Sequence, residues 1–280
     1  DKEFLWNLGT DRPTGKQNAF DFIAYNTQRY AFPFYIPQET AAQAAWDTVA
    51  QHARSKAQLA MTRRTLGAAT VLSTAGSWGT NTSATVGTGQ NGFTSTGDWR
   101  AATDTNSWIQ KSIQQVMQLV GFSSGGAVNP SQLIMVISPK IAQGIAQSVE
   151  VKAYVKANPQ SPNFLMGNDI YSRWGIPSTL FGLGEVVVDD TVVRTSRKGA
   201  TDVTSYVLGD GAYFVSRPGG LVGVEGSNSF ATVQVFAYED MTVEQFNDPL
   251  NRRVEGRVID NSITAVVAPV SGFALMSVIS

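Results

Sequence analysis

The sequence predicts an α+β fold on three observations. Two stretches with a helical apolar period flank 33 residues without a single charge, a short apolar run leads into Ser138-Pro139, and beyond Pro159 the patterning is predominantly of the strand type. With 280 residues, 42% of them hydrophobic and 15% charged, the chain has apolar content enough to offset the ordering entropy of a large core.

Residues 1–38 mix Phe4, Trp6, Phe20, Phe22, Tyr25, Tyr30, Phe32, Phe34 and Tyr35 with Pro13, Pro33 and Pro37, and show no sustained helical period. They read as an extended arm. Rings on an arm without its own core are an apolar liability unless the arm lies on a surface of its own subunit or of another. Residues 38–64 follow as a helix, with Trp46, Val49, Ala53 and Ala60 near a 3.6 period and no Gly or Pro inside. Arg63 and Arg64 are expected at its C-terminal end, where cations suit the helix dipole.

Residues 65–97 hold no Asp, Glu, Lys or Arg and are dominated by Thr, Ser, Gly and Asn. β-branched residues between Gly turns predict a long two-stranded excursion. An isolated hairpin is marginal in water, so it is expected to rest on a neighbouring subunit, anchored by Trp78, Phe93 and Trp99. A second helix is predicted over 103–121, with Ile109, Ile113, Val116 and Val120 as its stripe, Asp104 or Thr105 as its cap and Gly121 at its end. Residues 132–137 read as a buried strand. Ser138-Pro139 then open a helix with Ile141, Ile145 and Val149 on one side.

Further on, strands are expected at 185–193, 230–238 and 253–259, with a hairpin of 206–208 and 213–215 around Gly209-Asp210-Gly211. In the strand at 253–259, Arg253, Glu255 and Arg257 share one face and Val254, Gly256 and Val258 the other.

Composition excludes several chemistries. The absence of Cys removes disulfides, thiolate metal sites and thiol catalysis. The single His52 cannot build a multi-histidine metal site, and it reads as a surface or interface imidazole. There is no phosphate-loop or dinucleotide fingerprint, because Gly182-Leu183-Gly184 precedes a strand and no Gly-Lys-Ser or Gly-Lys-Thr occurs. Asp189 and Asp190 point to opposite faces of a strand. No enzyme activity and no cofactor are expected. A net charge of −1 gives no sequence-wide pull toward nucleic acid or anionic lipid, and residues 265–279 are too short and too interrupted to span a bilayer.

The order of elements resembles the Johnson fold of tailed-phage major capsid proteins, the fold shared with encapsulin shells. The most similar stretches are Asn129-Pro130-Ser131-Gln132-Leu133-Ile134-Met135-Val136-Ile137-Ser138-Pro139 and the tail with Arg253-Val254-Glu255-Gly256-Arg257-Val258, Ala268-Pro269 and Gly272-Phe273-Ala274. The resemblance implies an N-arm at 1–38 and an extended β-hairpin loop at 65–97. It implies a peripheral domain with a spine helix at 39–64, 98–122 and 221–250, and an axial domain at 123–220 and 251–280.

It further implies a virion head shell of pentamers and hexamers, assembled in the host cytoplasm around double-stranded DNA. A portal, a cement protein and a precursor segment cut off before Asp1 belong to the same expectation. Residues 65–97 carry no Lys, so a shell without isopeptide cross-links is expected. Arg63, Arg64, Trp78, Phe93, Trp99, Arg252, Arg253 and Glu255 are the expected subunit-interface residues. An encapsulin-like compartment and a monomeric carbohydrate-binding β module are the alternatives.

Overall fold

The structure, a computed structural model, describes residues 25–79, 82–95, 97–157, 174–176, 179–194, 196, 199–217 and 231–279. Residues 1–24 of the expected arm and 221–230 of the expected peripheral domain lie outside the described residues. In chain order the elements are β1 (Gln28–Pro37), α1 (Gln38–Gln43), α2 (Thr48–Ser73), β2 (Ser83–Thr85), α3 (Trp108–Ser123), β3 (Leu133–Ile137), α4 (Pro139–Gln147) and α5 (Val149–Ala157). There follow β4 (Glu185–Val188), β5 (Val192–Arg194), β6 (Thr204–Tyr206), β7 (Ala212–Ser216), β8 (Val233–Asp248), β9 (Arg253–Val266) and β10 (Phe273–Met276).

Two sheets organise the chain. The first is antiparallel in the order β1-β9-β8, with β1 matched to β9 from Gln28–Ser262 to Pro37–Arg253. Helix α2 covers one of its faces, where Phe34, Ile36, Val258 and Asp260 are buried. The second sheet is mixed, in the order β2-β10-β7-β3-β4. Alternation along its strands serves two cores. Leu133, Met135, Ile137, Phe214, Phe273 and Leu275 point toward α3 and α4, while Val136, Tyr213, Ala274 and Met276 meet Ala69, Leu72 and Trp78 at the end of α2. Strands β5 and β6 form a separate pair. Among the described residues no helix is long and apolar enough to cross a membrane.

Several expectations change. The helix expected to stop at Arg64 starts at an Asp47 cap, whose side chain accepts the Ala50 N–H at 2.9 Å, and continues to Ser73. Extending an existing helix needs no new nucleus. The threonines that favoured a strand instead donate their hydroxyls to carbonyls four residues back, Thr65 to Met61 and Thr70 to Leu66. Residues 65–97 are therefore not a two-stranded excursion. They end a helix, pass through short 3₁₀ turns, and add the three-residue β2 in parallel to β10.

Helix α3 carries the predicted stripe, with Ile109, Ile113, Val116 and Val120 buried. It begins at Trp108, beyond Asp104 and Thr105, and Gly121 lies inside it. It shares one core with β3, β7 and β10, so a boundary between 122 and 123 would cut through a continuous hydrophobic cluster. Val149 is exposed, because α4 ends at Gln147. The expected strand at 185–193 divides into β4 and β5. Strands β6 and β7 do not pair with each other: β6 joins β5, whereas β7 lies between β10 and β3. Strands β8 and β9 run longer than expected and form one hairpin, so a boundary between 250 and 251 falls in its turn.

Candidate functional site

The expected anchors lie inside the subunit. Trp78, Phe93 and Trp99 are each 0% exposed. The Trp78 indole N–H donates to the Leu72 carbonyl at 2.8 Å and closes the turn after α2, and Phe93 packs 6.3 Å from Phe273. The Trp99 ring sits in the core of α3 and α4, with its backbone N–H donating to the Val278 carbonyl. A charge-free stretch with buried rings is a core-forming segment here, not a surface ribbon. Its lack of Lys consequently says nothing about cross-links between subunits.

The expected interface arginines are also engaged within the chain. Arg63 lies mid-helix, its guanidinium 4.5 Å from the Tyr30 ring and donating to the Tyr30 hydroxyl at 2.8 Å. Arg64, one position on, reaches Asp260 of β9 at 2.5 Å and Asp240 of β8 at 2.8 Å. The Arg64 hydrogen bond holds the Asp240 carboxyl below its ordinary range. This bridge joins α2 to both long strands, and Asp260 itself is buried. Arg63 and Arg64 thus serve the packing of α2 on the sheet. His52 on the same helix stacks on Phe34, with ring centroids 6.5 Å apart.

The face of the first sheet turned away from α2 carries a row from each strand. Register sets Tyr35, Glu255 and Phe246 side by side, with Pro37, Arg253 and Asp248 on one flank and Pro33, Arg257 and Glu244 on the other. Arg253 pairs with Glu255 and lies 5.7 Å from the Tyr35 ring; Arg257 bonds Glu244 at 2.5 Å and lies 6.0 Å from the Phe246 ring. Arg253 and Glu255 are therefore ion-paired within the chain, while Arg252 is exposed in the hairpin turn with φ +45°. Asp248 closes that turn by accepting from the Asn251 side chain, which lowers its pKa.

Exposed rings and apolar side chains mark this face and its hairpin turn, where Tyr35 is 68% exposed, Phe246 45% and Leu250 94%; Trp46, between α1 and α2, is 60% exposed. None of these four is among the expected subunit-interface residues. Period-two alternation in β1, with Phe34 and Ile36 turned inward, carries the signal that Tyr35 points out. The hairpin tip had no such signal, since its position follows from the length of β8 and β9. Among the described residues no group of three His, Asp or Glu is placed to hold a metal ion.

No protein-family model matches the chain, and no curated protein matches it in sequence. Solved structures do match. A phage-related protein from Bordetella bronchiseptica RB50 aligns with a TM-score of 0.66 at 14% identity, over 96% of this chain and 81% of its own. The capsid structure of the cyanophage P-SCSP1u aligns at 0.55 and 12% identity, over 99% of this chain and 81% of the other. The asymmetric unit of the mature capsid of bacteriophage PhiM1 aligns at 0.53 and 11% identity, over 96% and 79%. From its helix-covered three-stranded sheet to its five-stranded body, this chain has the Johnson fold, an α+β architecture of phage capsid subunits.

Proposed function

We propose that this chain is a major capsid protein, a structural subunit that assembles with copies of itself into the icosahedral head shell of a tailed double-stranded DNA phage. The observation that carries the proposal is the chain-long likeness to capsid structures, over 96–99% of the residues. The exposed apolar side chains support it. A lone soluble chain gains nothing from Leu250, Tyr35, Phe246 and Trp46 in water, whereas closed symmetry covers such patches on every copy. A net charge of −1 suits a wall that confines DNA without gripping it.

In this reading the copies form pentamers and hexamers in the host cytoplasm. A portal and a cement protein would complete the head. Electron microscopy and size-exclusion chromatography of the purified chain test the proposal. Closed megadalton particles are expected, and a 30.1 kDa monomer at every concentration would overturn it in favour of a lone binding module. Copurified nucleic acid is expected; a copurified enzyme cargo would point to an encapsulin-like compartment instead.

A further inference from the structure

Where α2 lies on the first sheet, the side chains turned toward the helix change in kind along the strands. Phe34 and Ile36 of β1 and Val258 of β9 are buried and apolar. Further along, the register that sets Tyr30 beside Asp260 and Gln28 beside Ser262 continues the same face with polar groups, and Thr264 lies two residues beyond. Between these groups and α2 is a cleft of about 370 Å³, walled on the helix side by Arg63, Arg64 and Gly67.

Polar groups between a helix and a sheet cost free energy unless they find partners. Several do. The Tyr30 hydroxyl accepts from Arg63 at 2.8 Å and donates in turn to the Gln28 side-chain oxygen. Asp260 accepts from Arg64 and, at 3.0 Å, from the Ser262 hydroxyl. Among the described residues, the remaining N–H groups of the Arg63 guanidinium, the Gln28 NH2 and the Thr264 hydroxyl have no acceptor. Charge is left over too. Arg64 is paired with Asp260 and Asp240, whereas among the described residues no carboxylate pairs with Arg63, so the cleft keeps one positive charge. Space is kept as well. Gly67 sits inside α2, where glycine is disfavoured against alanine. A Cβ there would meet only Arg63 Nη1, at an ordinary 3.6 Å, so packing does not demand the glycine. A longer side chain at 67 would cover that nitrogen, and glycine leaves it bare.

We infer that this cleft binds a phosphate group, with the Arg63 guanidinium as its counter-charge and the Gln28 NH2 and Thr264 hydroxyl as further donors. A guanidinium meets an oxyanion with two parallel N–H groups. Donors from α2, β1 and β9 together call for more than the two oxygens of a carboxylate, and a phosphate supplies them. Free phosphate and the backbone of a single-stranded nucleic acid offer the same chemistry, and the experiment separates the two sources.

Thermal melting of the purified chain, held in one assembly state and titrated with inorganic phosphate against chloride at constant ionic strength, tests it. A saturable rise is expected, about 2–4 °C at tenfold the dissociation constant. Phosphate also stabilises proteins in general through exclusion from their surface, but that effect does not saturate and all variants share it. Gly67→Leu, which fills the cleft, and Arg63→Gln, which removes the charge, are each expected to lose the saturable rise. Thr264→Val removes only a hydroxyl without an acceptor, so it is expected to keep the wild-type melt and to weaken phosphate binding about tenfold. A saturable rise that a thymidine oligonucleotide produces and inorganic phosphate does not, lost in the same variants, assigns the site to nucleic-acid phosphate. No saturable rise from either probe, or one that survives unchanged in Gly67→Leu, Arg63→Gln or Thr264→Val, overturns the inference. Each of these results leaves the shell reading standing, since particle formation tests that separately.

Discussion

Helix α3 starts without a cap of its own. Ser107 at its N-cap has φ +47° and no side-chain hydrogen bond to the first turn. The acceptor comes from α5: the Glu150 carboxylate, in a residue only 4% exposed, takes the N–H of Ile109 at 3.0 Å and that of Gln110 at 2.8 Å. A hydrogen bond to a charged group contributes about 1.5–3 kcal/mol, so two would suggest a gross effect of about 3–6 kcal/mol. Burial opposes this. It pushes the Glu150 carboxyl above its ordinary 4.5, against the two N–H groups and Lys111, which pull it down.

The charge is therefore disfavoured in the fold, and the acceptor oxygens matter more than the ionisation. Glu150→Gln keeps one acceptor, for the buried Ile109 N–H, and turns its NH2 group toward the half-buried Gln110 N–H, so it is expected to cost about 1 kcal/mol. Glu150→Ala leaves the buried Ile109 N–H without a partner and opens a void, at about 2–3 kcal/mol. Thermal melting of the subunit should then fall by roughly 4–12 °C for Ala and a few degrees at most for Gln. The pH dependence has a definite sign. With the folded pKa above the unfolded one, the wild type gains stability as pH falls through the folded value toward 4.5, and Glu150→Gln lacks that gain. The reasoning is refuted if Ala melts like the wild type, if Gln falls as far as Ala, or if the wild type and Glu150→Gln respond alike to acid.

Three further outcomes follow from the same packing. Arg64→Ala strands the buried Asp260 and is expected to cost about 3–5 kcal/mol, with much of the loss recovered in the Arg64→Ala, Asp260→Ala double variant; a denaturant-unfolding cycle without coupling would contradict this. A Cβ at Gly256 would sit 2.3 Å from the Phe34 ring, so Gly256→Ala should cost about 1–3 kcal/mol by calorimetry, and the penalty should shrink in a Phe34→Leu background. Trp78→Ala should lower the melting temperature of the free subunit by removing about 3–5 kcal/mol, whereas an interface ring would leave that melt unchanged and impair assembly alone.

Local physics made several elements legible without coordinates. The α3 stripe of Ile109, Ile113, Val116 and Val120, and the step from β3 into α4 at Ser138-Pro139, rest on periodicity and on the fixed φ of proline, and both are present. The face shared by Arg253, Glu255 and Arg257 follows from strand alternation. Gly209 does mark a turn, but the partners of the strands beside it are decided by long-range pairing, so the expected hairpin divided between two sheets.

Residues 65–97 show where inference from composition stops. Uncharged Thr, Gly and Ala suit a strand, a helix end or a core turn, and the choice depends on what lies opposite. Here β10, β7 and the stripe of α3 offered Trp78, Phe93 and Trp99 a home within the same chain. The described part of the arm likewise pairs with β9 as β1. The expectation that Trp78, Phe93 and Trp99 need a neighbour is thus overturned by intrachain burial, whereas Tyr35 of the arm stays 68% exposed.

Sequence alone determined the α+β class and the apolar stripe of α3, because these depend on residue type and spacing of a few positions. Only the tertiary structure decided which arginines are engaged, which rings are hidden and which strands pair. Each of those depends on residues far apart in the chain, as Arg64 and Asp260 are, and burial is a property of the whole surround rather than of the side chain that is buried.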